Sequence, residues 1–179
     1  MKITGELIIF DLDDTLIRTR AKINVVNKKT GSIKISLTPA EFNTFSFNSS
    51  VYSLDFSEFE CPQILSECTL VYKIFRKLEK AYKKGIPVAV LTARSSNLMV
   101  REFFLDLGID IHPKLVIAIN DPINGYIGSI SEMKKKAIHD LIDAGFKKIT
   151  FFDDNIENLE VAKEIEKTRK VKIKTIQVE

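Results

Sequence analysis

Five short apolar runs constrain this chain more than any other feature. They are residues 7–10 (LIIF), 86–91 (IPVAVL), 115–119 (LVIAI), 149–152 (ITFF) and 171–176 (VKIKTI), and from residue 70 onward stretches of helical periodicity lie between them. Runs of four to six apolar residues suit strands buried on both faces, and the intervening stretches 70–84, 97–108, 132–144 and 155–167 are long enough for helices. Gly85, Gly108 and Gly145 follow the last turns of three of these, where a terminating glycine is expected. Strand alternating with helix predicts a parallel sheet covered on both faces, a doubly wound α/β domain.

The alternation breaks once, between residues 18 and 68. Ile23 and Val25 on one side of Asn27-Lys28-Lys29-Thr30-Gly31, and Ile33, Ile35 and Leu37 on the other, predict a β-hairpin. Thr38-Pro39-Ala40-Glu41 then carries an N-cap candidate, a proline at the first helical position and a glutamate three after the cap, so a short helix should begin there. Phe42, Phe45, Phe47, Tyr52, Phe56 and Phe59 follow, six of sixteen aromatics (12 Phe + 4 Tyr). The expected organisation is a core of residues 1–17 and 69–179 with residues 18–68 as a small cap. The alternative is a sheet extension that only packs, with the aromatics as a satellite core.

Composition excludes several classes. With 179 residues, 45% hydrophobic and 28% charged, the chain can bury a core without disulfide or structural metal. Lys+Arg 27 against Asp+Glu 24 falls short of the basic excess typical of nucleic-acid binders. Cys61 and Cys68 form neither a disulfide framework nor a zinc or iron–sulfur set. No apolar run approaches a membrane span, and the N-terminus turns acidic where a leader would need a cleavage site. A reduced, soluble, cytoplasmic protein is expected, with no membrane and no obligate protein partner. His112 and His139 read as structural.

Chemistry concentrates at the carboxyl ends of the apolar runs, where open α/β sheets bind ligands. Asp11, Asp13 and Asp14 crowd the end of the first, and Asp153 and Asp154 the end of the fourth. Like charges so close repel, and a hard divalent cation such as Mg²⁺ would hold them ionised. Asp and Asn at the second cluster also serve as helix caps, so that cluster alone is ambiguous. Thr92, with the backbone N–H groups near Ala93, suits a phosphate oxygen at a strand-to-helix turn. Lys134-Lys135-Lys136 opposes the macrodipole at a helix start, which gives one of the three reason to turn into an anionic pocket. Neither Gly-x-x-x-x-Gly-Lys nor Gly-x-Ser-x-Gly occurs, which excludes a P-loop kinase and a serine hydrolase of that type.

FDLDDTL (10–16), LTAR (91–94), one of the three lysines and FFDDNIEN (151–158), in that order, resemble the four motifs of the haloacid-dehalogenase (HAD) superfamily of phosphohydrolases. The resemblance covers nearly the whole chain and is nearest to the polynucleotide 3′-phosphatase branch and to short phage-encoded HAD proteins, for which a host cytoplasm would be the location. It implies a Rossmann-like sheet ordered 5-4-1-2-3. It implies Asp11 as nucleophile and Asp13 as general acid and base. Thr92, Ala93 and Lys134, with Lys135 in reserve, would bind the phosphoryl group. Mg²⁺ would be held by Asp11, the Asp13 backbone carbonyl and Asp154, with Asp153 behind them. Asp13 argues against a dehalogenase, a branch that lacks this acid. The implied activity is Mg²⁺-dependent hydrolysis of a phosphomonoester, with a nucleic-acid end or a nucleotide as one candidate substrate. Small-metabolite phosphatase, phosphoprotein phosphatase and a non-catalytic binding protein that keeps the fold are the alternatives. Arg94 departs from the phosphoprotein-phosphatase pattern.

Overall fold

The computed structural model describes residues 5–42 and 44–179. Residues 1–4, where the reading of the N-terminus begins, and Asn43 lie outside the described residues. The central sheet has five strands: β1 (Glu6–Phe10), β7 (Val88–Thr92), β8 (Val116–Ala118), β9 (Lys148–Asp153) and β10 (Lys172–Gln177). Every pairing among them is parallel, in the spatial order β10-β9-β1-β7-β8. Numbered among themselves along the chain, these five run 5-4-1-2-3. All five residues of β7 are buried, which accounts for the continuous apolar runs, since neither face of a covered parallel sheet meets water.

Four helices supply the cover: α3 (Tyr72–Lys83), α4 (Asn97–Asp106), α5 (Ile130–Asp143) and α6 (Ile156–Thr168). α3 packs on β1 and β7, α4 on β8, α5 on β7 and α6, and α6 on β9 and β10. Gly85 and Gly108 take φ of 69° and 76°, the left-handed conformation that ends a helix without the Cβ clash another residue would meet. α5 begins two residues earlier than the periodicity suggests. Ser129 caps it by accepting from the Glu132 N–H, and the Glu132 carboxylate accepts from the Ser129 N–H.

β1 is central, with β7 on one side and β9 on the other. Phe10 lies opposite Val90 and Phe152, so the residues that follow the three strands emerge along one edge. The Asp11 N–H donates to the Phe152 carbonyl at 2.9 Å, extending the pairing one residue past β1.

The break in the alternation holds three antiparallel strands. β3 (Ile23–Asn27) pairs with β4 (Ile33–Leu37) in the expected hairpin, and β5 (Tyr52–Asp55) adds to the other edge of β3. From the sequence, Tyr52 is the one residue of 52–55 singled out, as an aromatic, and no strand is expected there. Tyr52-Ser53-Leu54-Asp55 is too short to show a period, and β3 supplies the edge that makes it a strand. α1 (Pro39–Phe42) starts as expected, with Glu41 accepting from the Thr38 N–H at 2.7 Å. α2 (Pro62–Ser66), with a 3₁₀ turn at Ser57–Glu60 before it, also lies here.

A second difference lies at the base of this segment. Leu70, expected to start a helix, instead forms β6 (Thr69–Leu70) with Thr69, paired antiparallel with β2 (Ile17–Arg18). The Val71 N–H donates to the Leu16 carbonyl at 2.8 Å, and this delays α3 to Tyr72. The chain therefore leaves and re-enters the sheet through one short ribbon. Ile23, Val25 and Leu37 are buried but lie outside the main apolar cluster, so the segment carries a small core of its own.

Candidate functional site

Three strand ends and one helix meet at the carboxyl edge of the sheet. Asp11 follows β1, Thr92 and Asp153 close β7 and β9, and Lys134 reaches across from the second turn of α5. The Lys134 ammonium donates to Asp11 Oδ1 at 2.7 Å and to Asp153 Oδ2 at 2.8 Å, and the residue is only 2% exposed. Lys135 pairs with Glu164 near the surface, and Lys136 donates to the Ile127 carbonyl. Of the three consecutive lysines, Lys134 alone lies among the acids, and Lys135 is not in reserve for that place.

Asp153 is fully buried and fully partnered. Its Oδ1 accepts from the Asn155 N–H and from Asn158 Nδ2, and its Oδ2 accepts from Lys134 and Asn158. Both oxygens are thus engaged by the protein. The Asp154 side chain is half-buried, and among the described residues no other side chain is bonded to its carboxylate. Burial, reinforced by the charge of Asp153, pushes its carboxyl up to about 6. Asp11 is likewise held well above the usual carboxylate range, first by burial and then by Asp153 and Asp154, although Lys134 opposes the shift. Burial disfavours the Lys134 ammonium, but Asp11 and Asp153 outweigh it and hold this side chain protonated above its ordinary value.

The charge count explains these shifts. Asp11, Asp153 and Asp154 offer oxygen atoms within 4.8 Å of one another. Three carboxylates against one ammonium leave −3 + 1 = −2, which one divalent cation would neutralise. An all-oxygen donor set suits a hard ion. The cluster can therefore hold a divalent metal, with Asp11 and Asp154 as the carboxylates that still have free oxygens.

Asp13 faces a different partner. Arg94 Nε donates to Asp13 Oδ2 at 2.9 Å and Nη2 to Oδ1 at 2.8 Å, a two-pronged pair with the arginine 2% exposed. Arg94 Nη1 donates to the Phe59 carbonyl at 2.8 Å, and the guanidinium lies 5.4 Å from the Phe59 ring centroid. Ser95 Oγ donates to Glu60 at 2.9 Å beside it. One arginine thus ties the acid after β1 to the segment containing β3–β5. The sequence reading notes Arg94 only as a departure from one pattern and assigns it no contact. Its signal is its position two residues past Thr92, at the same sheet edge. Asn158 is missed as well, although one helical turn after Asp154 is where a side chain can reach back to the strand end.

Thr92 is buried, and its Oγ1 accepts from the Arg94 N–H at 3.3 Å. Asp14 adopts φ 58°, a left-handed conformation that aspartate tolerates better than most residues. The turn closes behind it as the N–H groups of Leu16 and Ile17 donate to the Leu12 carbonyl, at 2.8 and 3.0 Å. Asp11, Asp13, Thr92, Ala93, Lys134 and Asp154 all line one cavity of about 510 Å³. His112 is exposed in the 3₁₀ turn before β8, where it accepts the Lys114 N–H, away from this cavity. No helix among the described residues is long and apolar enough to cross a membrane. Comparison with protein-family models, curated proteins and solved structures finds no match.

Proposed function

We propose that the chain is a Mg²⁺-dependent phosphomonoester hydrolase of the HAD type that works through an aspartyl-phosphate on Asp11. One observation carries this reading. The sheet edge joins a buried carboxylate with one free oxygen, a second acid two residues later, a buried ammonium and a residual charge near −2. Asp11, Asp154 and the Asp13 backbone carbonyl would hold Mg²⁺, which would supply charge neutralisation as phosphate approaches carboxylate. Asp153, with both oxygens engaged, orients Lys134 and braces the metal site from behind.

The chain's own residues account for the chemistry. One carboxylate oxygen of Asp11 attacks phosphorus while the other stays with the ammonium and the metal site, and the bond to the leaving oxygen breaks. Asp13 gives that oxygen a proton, then takes one from the water that attacks the aspartyl-phosphate, which returns both acids to their starting forms and frees inorganic phosphate. Lys134 and Thr92 with its neighbouring N–H groups take the phosphoryl oxygens, whose charge is spread in a loose transition state. Both Asp13 oxygens accept from Arg94, so each proton transfer requires one of those bonds to open.

The test is phosphate release from a small aryl phosphate, with Mg²⁺ and with excess chelator, for the natural chain and for Asp11→Asn. Activity is expected only for the natural chain with metal. The substitution should leave the fold as stable or more so, because the amide relieves carboxylate repulsion. A folded Asp11→Asn protein with full turnover would remove the proposal. If neither protein turns over any phosphomonoester, a binding protein that keeps the fold is the reading left.

A further inference from the structure

The cavity above Asp11 has two unlike halves. Its floor is the acidic edge with Lys134. Its wall is apolar, made by Ile23, Pro39, Phe42, Phe56, Phe59 and, from α5, Ile130. Phe42 and Phe56 meet edge to face with ring centroids 5.8 Å apart, and Phe56 and Phe59 lie 6.4 Å apart. Arg94 lies over the Phe59 ring and holds the Phe59 carbonyl, which fixes that side of the wall to the floor. Phe56 is 44% exposed, so much of its ring has no protein neighbour. Exposed aromatic rings beside a floor that would take a phosphoryl group together with a divalent cation are what an ester with one phosphate and one flat apolar group would cover.

Charge restricts the occupant further. The cavity lining carries five carboxylates, of Asp11, Asp13, Asp14, Glu60 and Asp154, and two cations, Arg94 and Lys134. Arg94 is committed to Asp13, and Lys134, bonded to Asp11 and Asp153, keeps one N–H for a single phosphate. A polynucleotide end brings further phosphates, and proteins that track such a backbone meet them with lysine and arginine. Here the remaining charged groups of the lining, Asp14 and Glu60, are both acidic, so a second phosphate would find no cation.

Resting on the phosphomonoesterase reading, we infer that this cavity takes a compact ester carrying a single phosphate and an aromatic group, of the nucleoside monophosphate kind, with the aromatic group against Phe42 and Phe56. The volume of about 510 Å³ fits a single small molecule. The inference narrows the candidate substrates and departs from the polymer-end expectation raised by the sequence.

Calorimetric binding to the Asp11→Asn chain with Mg²⁺ tests it without turnover. The probes are adenosine 3′-monophosphate, ribose 5-phosphate and a 3′-phosphorylated tetranucleotide. Base–aromatic stacking at roughly 1–3 kcal/mol predicts about 5- to 150-fold tighter binding of the mononucleotide than of the sugar phosphate. The tetranucleotide should bind more weakly than the mononucleotide. Phe56→Ala, at a position 44% exposed and with its fold checked by circular dichroism, should bring the mononucleotide-to-sugar ratio toward one. Equal affinities for mononucleotide and sugar phosphate, or a tetranucleotide that binds tightest with a steep salt dependence, would overturn the inference. The two readings fail separately. The predicted binding order in a protein whose natural form hydrolyses no phosphomonoester would support the pocket and remove the catalysis, and turnover without the preference would do the reverse.

Discussion

Lys134 shows what one side chain must do at this edge. Its ammonium is the only cation between Asp11 and Asp153 among the described residues, and both carboxylates are buried with it. Removing one partner of a buried ion pair costs more than the pair contributes, because the remaining charges stay buried without compensation. Lys134→Met should therefore lower the unfolding free energy by about 3–5 kcal/mol at pH 7, read by urea denaturation. A loss below about 1 kcal/mol would mean that the ammonium is not holding the two acids. The sequence makes part of this legible. Three lysines against a helix dipole require one to find an anion, but the choice depends on the phase of α5, which the Ser129–Glu132 cap sets. Arg94 is harder to read, since its two partners, Asp13 and Phe59 (through its carbonyl and its ring), lie 81 and 35 residues away in sequence.

At the scale of elements, the ribbon of β2 and β6 brings the two ends of the inserted segment together. The segment keeps its own buried residues Ile23, Val25 and Leu37, and it meets the site through Phe59 and Glu60. The core should then survive without it. Replacing residues 20–60 by a short Gly/Ser linker should keep hydrolysis of a small aryl phosphate within about tenfold, roughly 1.4 kcal/mol. The preference for an aromatic nucleotide over a sugar phosphate should disappear, because binding energy remote from the phosphorus is lost. A folded deletion protein that retains the preference would show that the segment only packs. The hairpin and the cap of α1 are legible because turn glycine, cap threonine and proline act locally. β5 and the base ribbon are not, because two to four residues carry no period and a distant edge decides their state.

For the molecule as a whole, the parallel sheet is what brings together acids that lie over 140 residues apart along the chain. That part of the fold is the most legible, since five runs buried on both faces leave few alternatives to a covered parallel sheet. The residual negative charge at its edge should make stability depend on pH and on any divalent cation the cluster takes. A carboxyl raised to about 6, as at Asp154, binds a proton more tightly folded than unfolded. Without metal, this group's contribution to stability falls as pH rises from about 4 to about 6. A cation competes with that proton, so the rise in Tm on adding Mg²⁺ should be larger at pH 7.5 than at pH 5. Equal rises at both pH values would place the ion elsewhere. The central claim is that phosphorus passes through Asp11. Asp13→Asn should slow hydrolysis of the intermediate, whereas an aryl leaving group needs little help from an acid to depart, so the intermediate should accumulate. Acid quenching of that variant during turnover of an aryl phosphate, followed by peptide mass analysis, tests the claim directly. The account predicts one phosphoryl group on Asp11, and an unmodified Asp11 alongside rapid release of the aryl alcohol would contradict it.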